Sequence, residues 1–125
     1  MPLEPGLAGD ASIIVSDADT AKALGSGEVL VLATPRVVGL VEEATVKALD
    51  GRLEPGMTHV GMRVQLDHLA PAPVGDLVEA NAKLEKVEGR RLIFSVSVTD
   101  HRGLVAAGKV TRVIVDRGRF LDKCG

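Results

Sequence analysis

Glu42 stands where a carboxylate is hard to keep. The stretch ATPRVVGLVEEATVKAL, residues 33–49, advances about 100° per residue as a helix, which turns Val37, Leu40, Val41, Ala44 and Ala48 to one side. Arg36, Glu43, Lys47 and Asp50 gather on the opposite side, with Glu43 placed to pair with Lys47 at i,i+4. Glu42 falls on the flank of the apolar stripe, beside Val38, Thr45, Val46 and Leu49. Desolvating a carboxylate is costly unless something bonds it, and burial weakens its acidity. A carboxyl whose pKa is moved toward the operating pH suits a general base or a nucleophile. A carboxylate that borders water or bonds backbone at the helix edge fits the same position, and the helix alone does not separate the two.

His68 is the second group out of place. In THVGMRVQLDHLAPAPVG, residues 58–75, it falls in step with Val60, Met62, Val64 and Leu66 at the end of an oily row, just before a double-proline loop. It reads either as an edge-of-core histidine or as an acid–base group. Its company decides the interest: a helix packed across the sheet would allow Glu42, His68 and the Thr34 hydroxyl to converge at one rim. A metal site is not expected. His59 is placed on the other face of the same strand, His101 in a turn, and no pair has ligand spacing. Cys124 is the sole cysteine, which excludes an internal disulfide and a thiolate cluster.

The elements that must position these groups are legible in the period. Ala11 to Val15 can start a sheet, and Asp17 to Leu24 reads as a helical turn capped by Asp17, broken at Gly25-Ser-Gly27. The long helix is expected over Thr34–Leu49, with Thr34 as N-cap, Pro35 at the first helical position, and Asp50-Gly51 as the stop. From Met57 the period changes to two. Four strands are expected, at about Met57–Leu69, Leu77–Val87, Leu92–Asp100 and Leu104–Asp116. Their inward rows are Val60/Met62/Val64/Leu66, Val78/Ala80/Ala82/Leu84, Leu92/Phe94/Val96/Val98 and Val110/Arg112/Ile114. The short links Glu88-Gly89 and Asp100–Gly103 predict antiparallel hairpins. One long helix followed by consecutive strands makes an α+β layer. A sheet this small cannot wrap the helix completely, so dimerisation is expected.

Composition narrows the class further. At 125 residues the chain is expected to form one domain, residues 1–125, and 46% hydrophobic residues can fill a core. Its only aromatic rings are Phe94 and Phe120, so that core is aliphatic. The longest apolar run, Val29 to Ala33, is far short of the roughly 20 residues a spanning helix needs. MPLEPGLAGD carries acids and prolines where a secretory signal has basic and apolar blocks. A cytoplasmic protein without a membrane partner is expected. A net charge of −2 with interspersed signs argues against nucleic acid, which needs a concentrated basic patch. No G-x-S-x-G elbow, P-loop or dinucleotide-binding turn is present, and no cofactor is expected.

Together these stretches resemble the hotdog-fold acyl-CoA thioesterases, in particular the fluoroacetyl-CoA thioesterase-like branch. The resemblance runs from about Val31 to Phe120. Its carriers are ATPRVVGLVEEATVKAL, HVGMRVQLDHLAPAPVG, KVEGRRLIFSVSVTD and GKVTRVIVDRGRF, in that order and spacing. It implies a long central helix packed on a curved antiparallel sheet, an acyl-CoA substrate, and a homodimer or tetramer. It also implies roles: catalytic Thr34, Glu42 and His68, with Gly61 offering a backbone N–H to the thioester oxygen and Arg112 as a further substrate-binding group. The branch closes its pocket with phenylalanines just before the helix. Here that stretch is GSGEVLVLATP, without any ring. The expected substrate is therefore an ordinary short- to medium-chain or arylacyl thioester. Two other functions use the same fold: a non-catalytic acyl-CoA-binding sensor, which needs none of the three catalytic positions, and a hydratase, whose Asp/His pair Asp67-His68 matches poorly because adjacent strand residues face opposite ways.

Overall fold

Alternation of small and branched apolar residues from Leu77 onward builds the middle of the sheet. The computed structural model describes residues 3–125. In chain order the elements are β1 (Ala8–Ile14), a 3-10 turn (Asp17–Asp19), α1 (Ala21–Leu24), α2 (Thr34–Ala48), β2 (Met57–His68), β3 (Leu77–Glu88), β4 (Arg91–Asp100), β5 (Gly103–Asp116) and α3 (Arg117–Asp122). The sheet is antiparallel throughout, in the order β1-β3-β4-β5-β2. The rows Val78/Ala80/Ala82/Leu84 and Leu92/Phe94/Val96/Val98 are all buried, and they receive the buried helix stripe Val37, Leu40, Val41, Ala44 and Ala48. The four expected strands and the long helix stand within one or two residues of their expected limits.

Small residues decide where the helix lies. Gly9 of β1 faces Ala44 and Ala48, and a Cβ there would run into their backbone. With Ala80 and Ala82 alongside on β3, this lets α2 settle against the β1–β3 half of the sheet, where most of its contacts fall. The β5–β2 half meets the helix through larger polar groups instead, and the residues of interest lie there.

Three local expectations are corrected. Ser16 caps the 3-10 turn through a reciprocal pairing with Asp19, and Thr20 caps α1 by accepting the Ala23 N–H, so Asp17 is no cap. Ala33 occupies the N-cap of α2 without a side-chain bond, while Thr34 is already helical and Pro35 follows in the first turn. Third, β2 carries a bulge. Gly61 pairs with Arg112 and Arg63 with Thr111, leaving Met62 over and 47% exposed. An extra residue inverts a period of two. Before the bulge His59 and Gly61 share the face of Ile114 and Arg112; after it Val64, Leu66 and His68 do. Val60 and Met62 thus leave the inward row, and His59 joins it.

Candidate active site

Thr34 and His68 meet at the start of the helix. The Thr34 Oγ1 and His68 Nδ1 atoms share a hydrogen bond of 2.8 Å. The chain before the helix is held for this: Leu32 donates to the Ala72 carbonyl, Ala33 to that of Asp19, and Val31 bridges to Pro73. Past His68, the N–H groups of Leu69 and Ala70 both donate to the Val105 carbonyl. Arg36 adds an ion pair with Asp19 at 3.2 Å, tying the first helical turn to the 3-10 turn. The Ser16 backbone N–H, ahead of that arginine, holds the Asp19 carboxyl below its ordinary pKa. The hydroxyl that would have capped the helix is thus spent on an imidazole 34 residues away.

The other imidazole nitrogen of His68, Nε2, is buried and finds no partner among the described residues. A buried polar atom without a bond is costly. A Thr34 hydroxyl donating to Nδ1 leaves Nε2 with the hydrogen, a free donor; the opposite sense leaves Nε2 a free acceptor. A cavity of about 290 Å³ lies beside this pair, walled by Val29, Val31, Leu32, Leu69 and Pro71 among others.

Glu42 lies two turns further along α2, against β5 and β2. Its Oε2 accepts a hydrogen bond from Arg112 Nη1 at 3.3 Å, and its side chain is 38% exposed. Gly61 makes the approach possible, because a Cβ there would stand 2.6 Å from that oxygen. Arg112 is buried, and its Nε donates to His59 Nδ1 at 2.9 Å. Burial pushes the Arg112 pKa down from the usual arginine value, and the neighbouring Glu42 carboxylate pushes it back up. Burial, and then the Arg112 charge, hold the His59 pKa below that of an ordinary histidine. Glu43, one residue on, pairs with Arg36 at 2.9 Å and not with Lys47. A second cavity, of about 570 Å³, is lined by Gly39, Glu42, Val46, Lys47, Asp50 and Arg112 among others.

The sequence-derived residues therefore fall into two groups within one chain: Thr34 with His68, and Glu42 with Gly61 and Arg112. Eight residues of helix at 1.5 Å rise separate Thr34 from Glu42 by about 12 Å along the axis, and the two groups wall different cavities. His59 belongs with the second group and was misplaced by strand alternation. The available signal was Gly61, since a glycine inside a strand often marks a bulge. A separate cluster, between the β4–β5 hairpin and the residue before β3, had no sequence signal. Asp76, Asp100 and His101 bring ligand-type atoms within 4.8 Å of one another, and Arg102 already supplies a positive charge there, 3.0 Å from Asp100 and 3.5 Å from Asp76.

A curled five-stranded antiparallel sheet around one long helix is the hotdog architecture of the thioesterase superfamily. A Thermus thermophilus hypothetical protein of that superfamily matches with a TM-score of 0.90 and 29% identity, over 98% of this chain and 90% of that one. A hot-dog-like protein from Thermanaerovibrio acidaminovorans matches with a TM-score of 0.88 and 28% identity, over 96% and 89%. The family is narrower. The model of the fluoroacetyl-CoA-specific thioesterase family matches residues 15–118, and this chain belongs to that family. The fluoroacetyl-CoA thioesterase of Streptantibioticus cattleyicolor is 38% identical over 93 residues, 74% of this chain and 67% of that protein. A solved structure of the fluoroacetyl-CoA thioesterase matches with a TM-score of 0.91 and 32% identity, over 99% and 96% of the two chains.

Proposed function

We propose that the protein hydrolyses an acyl-CoA thioester, of short to medium chain or arylacyl type, to the free acid and CoA. The observation that carries this reading is the Thr34–His68 pair, with its buried and unpartnered Nε2, on the same framework as a carboxylate pressed against strand backbone at Gly61. A relative bearing the family's name has been solved with fluoroacetate and CoA bound, at 31% identity over 94% of this chain. Glu42 takes a proton from water as that water attacks the thioester carbonyl, or attacks the carbonyl itself to form an anhydride that water then opens. The Gly61 N–H stabilises the developing oxyanion. The C–S bond breaks, and the imidazolium form of His68 delivers its Nε2 proton to the departing thiolate while Thr34 accepts from Nδ1. The proton released from the attacking water restores the ring. Acid and free thiol leave, and no electron acceptor is needed.

The active form we propose is a homodimer. Two observations support it: the 12 Å gap between the groups in one chain, and the exposed apolar residues Val46 of the helix and Met62 and Leu69 along and just past the free β2 edge. A second copy covers these residues and completes each site.

Thiol release measured over a series of acyl-CoA chain lengths tests the activity, and a carboxamide scan tests the carboxylate. Glu42→Gln keeps shape and removes the basic oxygen, so turnover is abolished while fold and dimer persist. Glu43→Gln, on the solvated face and held by Arg36, leaves turnover unchanged. Equal losses for both would refute the helical-face argument. Absence of thiol release over the whole series, with acyl-CoA still bound, returns the reading to a sensor. Labelled water in a single turnover separates the two chemical routes, since only the anhydride leaves label in Glu42.

A further inference from the structure

We propose that His59 is a positioning residue for Glu42: its neutral imidazole receives the Arg112 Nε–H and so fixes the guanidinium that holds the Glu42 carboxylate beside Gly61. The inference rests on the reading of Glu42 as the reacting carboxylate.

Arginine carries five donors in a rigid fork and no acceptor. Left to itself beside a carboxylate, a buried guanidinium turns to a two-pronged pairing that engages both oxygens. A carboxylate gripped that way is a weak base. Here the fork is divided. Nε is directed at His59 Nδ1, 2.9 Å away, and Nη1 reaches only Oε2 of Glu42, at 3.3 Å. The side-on fork, which needs Nε, is blocked, and Oε1 is left for water or for a carbonyl carbon. The bulge at Met62 makes this arrangement possible, because without it His59 would face away from Arg112.

The donor also dictates the state of the ring. Nδ1 must be bare, so His59 carries its hydrogen on Nε2 and is uncharged. Protonation would place two donors and two positive charges face to face. The charged groups nearest the ring are Arg112 of β5 and, across it, Glu42 of α2; Glu43, Lys47 and Asp50 of α2 and its end line the cavity beside Glu42 and Arg112, and the other β5 neighbour, Ile114, is apolar. The depressed His59 pKa agrees with a ring kept neutral.

The test compares His59→Leu, which removes the acceptor, with His59→Asn, whose side-chain oxygen replaces it near the Nδ1 position. In thiol-release kinetics, H59L lowers kcat by about tenfold or more, short of the 10²–10⁴-fold of a lost acid–base group, with KM changed less than about twofold. H59N recovers most of that loss. NMR of the Arg112 Nε–H reports the bond without relying on activity: slow solvent exchange in the wild type and H59N, fast exchange in H59L, and loss of the slow signal on acidification in the wild type alone. H59L with wild-type kcat, equal kcat losses in both variants, or the same acid response in wild type and H59N overturns the proposal. If H59L does not fold, the acid response of wild type against H59N decides. Glu42→Gln measured in parallel separates the two readings: an active E42Q defeats the role of Glu42, whereas an inactive E42Q with a fully active H59L defeats only the role of His59.

Discussion

Glu42 and Glu43 are chemically identical neighbours with different surroundings, and the difference is made by what each side chain can reach. Arg36 draws Glu43 outward at 2.9 Å, while Arg112 and the bare Gly61 backbone draw Glu42 onto the sheet. Gly61 is the sharper probe of the second environment. A methyl group in Gly61→Ala would stand 2.6 Å from Glu42 Oε2 and 3.5 Å from Arg112 Nη1. The obstructed atom ends a flexible, 38% exposed side chain, so it swings aside at little cost to the fold. A displacement of about 1 Å at a reacting group costs on the order of 10²-fold in rate. G61A is therefore expected to lose roughly that factor in kcat while its melting temperature stays close to wild type. Kinetics and melting on one preparation check this. A large drop in melting temperature with normal specific activity would mean that Gly61 serves the strand and not the carboxylate.

At the scale of elements, the loop after His68 is held from the β4–β5 hairpin. Arg102 Nη2 donates to the Pro71 carbonyl at 3.2 Å and to Asp100 at 3.0 Å, and lies 3.5 Å from Asp76. Pro71 and Ala70 wall the Thr34–His68 cavity, so this clamp braces one side of the site. Hydrogen bonding with the Asp76 carboxyl, then with the Arg102 backbone N–H and guanidinium, outweighs desolvation and lowers the Asp100 pKa from 3.8 to about 2. A lowered folded pKa means that the unfolded chain binds the proton more readily. The resulting stability is full above pH 3.8 and is lost as pH falls toward 2. Arg102→Ala should thus lower the melting temperature at pH 7, with the deficit shrinking as pH falls from about 4 toward 2 and the Asp100 carboxylate is neutralised. A deficit of the same size at both ends would make the clamp a packing effect. None of this was legible in the chain, since Asp76 and Asp100 lie 24 residues apart with no motif between them. The long helix and the β3–β5 rows were legible because burial on one face imposes a period, and nothing local interrupts it. The β2 bulge escaped for the opposite reason. Val60, Met62 and Val64 keep perfect alternation in sequence, so hydrophobicity carries no trace of the slip that turns His59 inward. Thr34 looked like a cap by local chemistry, and a partner from β2 claimed its hydroxyl.

For the whole molecule, substrate choice is decided by what can close over the pocket. A tiny acyl group offers little binding energy, and a single small substituent in an apolar pocket discriminates by only about 10–200-fold. A specialist for such a group needs a cover that excludes water and senses the substituent. This chain has two rings to build one from, and neither stands near the Thr34–His68 cavity wall: Phe94 is fully buried in the β4 row and Phe120 sits on α3. The segment ahead of α2 brings Val29 and Leu30, about 60% exposed, behind a Gly25 in the left-handed region at φ 72°. Gly25 caps α1, and the segment is bonded back to Ala21 and Lys22. Its aliphatic side chains, with no ring among them, leave a mouth suited to longer or aryl chains that supply their own apolar contact. The kcat/KM ratio of fluoroacetyl-CoA to acetyl-CoA is therefore expected to stay within the range of one small substituent, and kcat/KM to rise along the series from acetyl toward medium-chain and arylacyl thioesters. A fluoroacetyl preference above roughly 10³, beyond that range, would mean that the cover comes from elsewhere, with Leu30 and Leu69 the first residues to exchange for alanine in search of it.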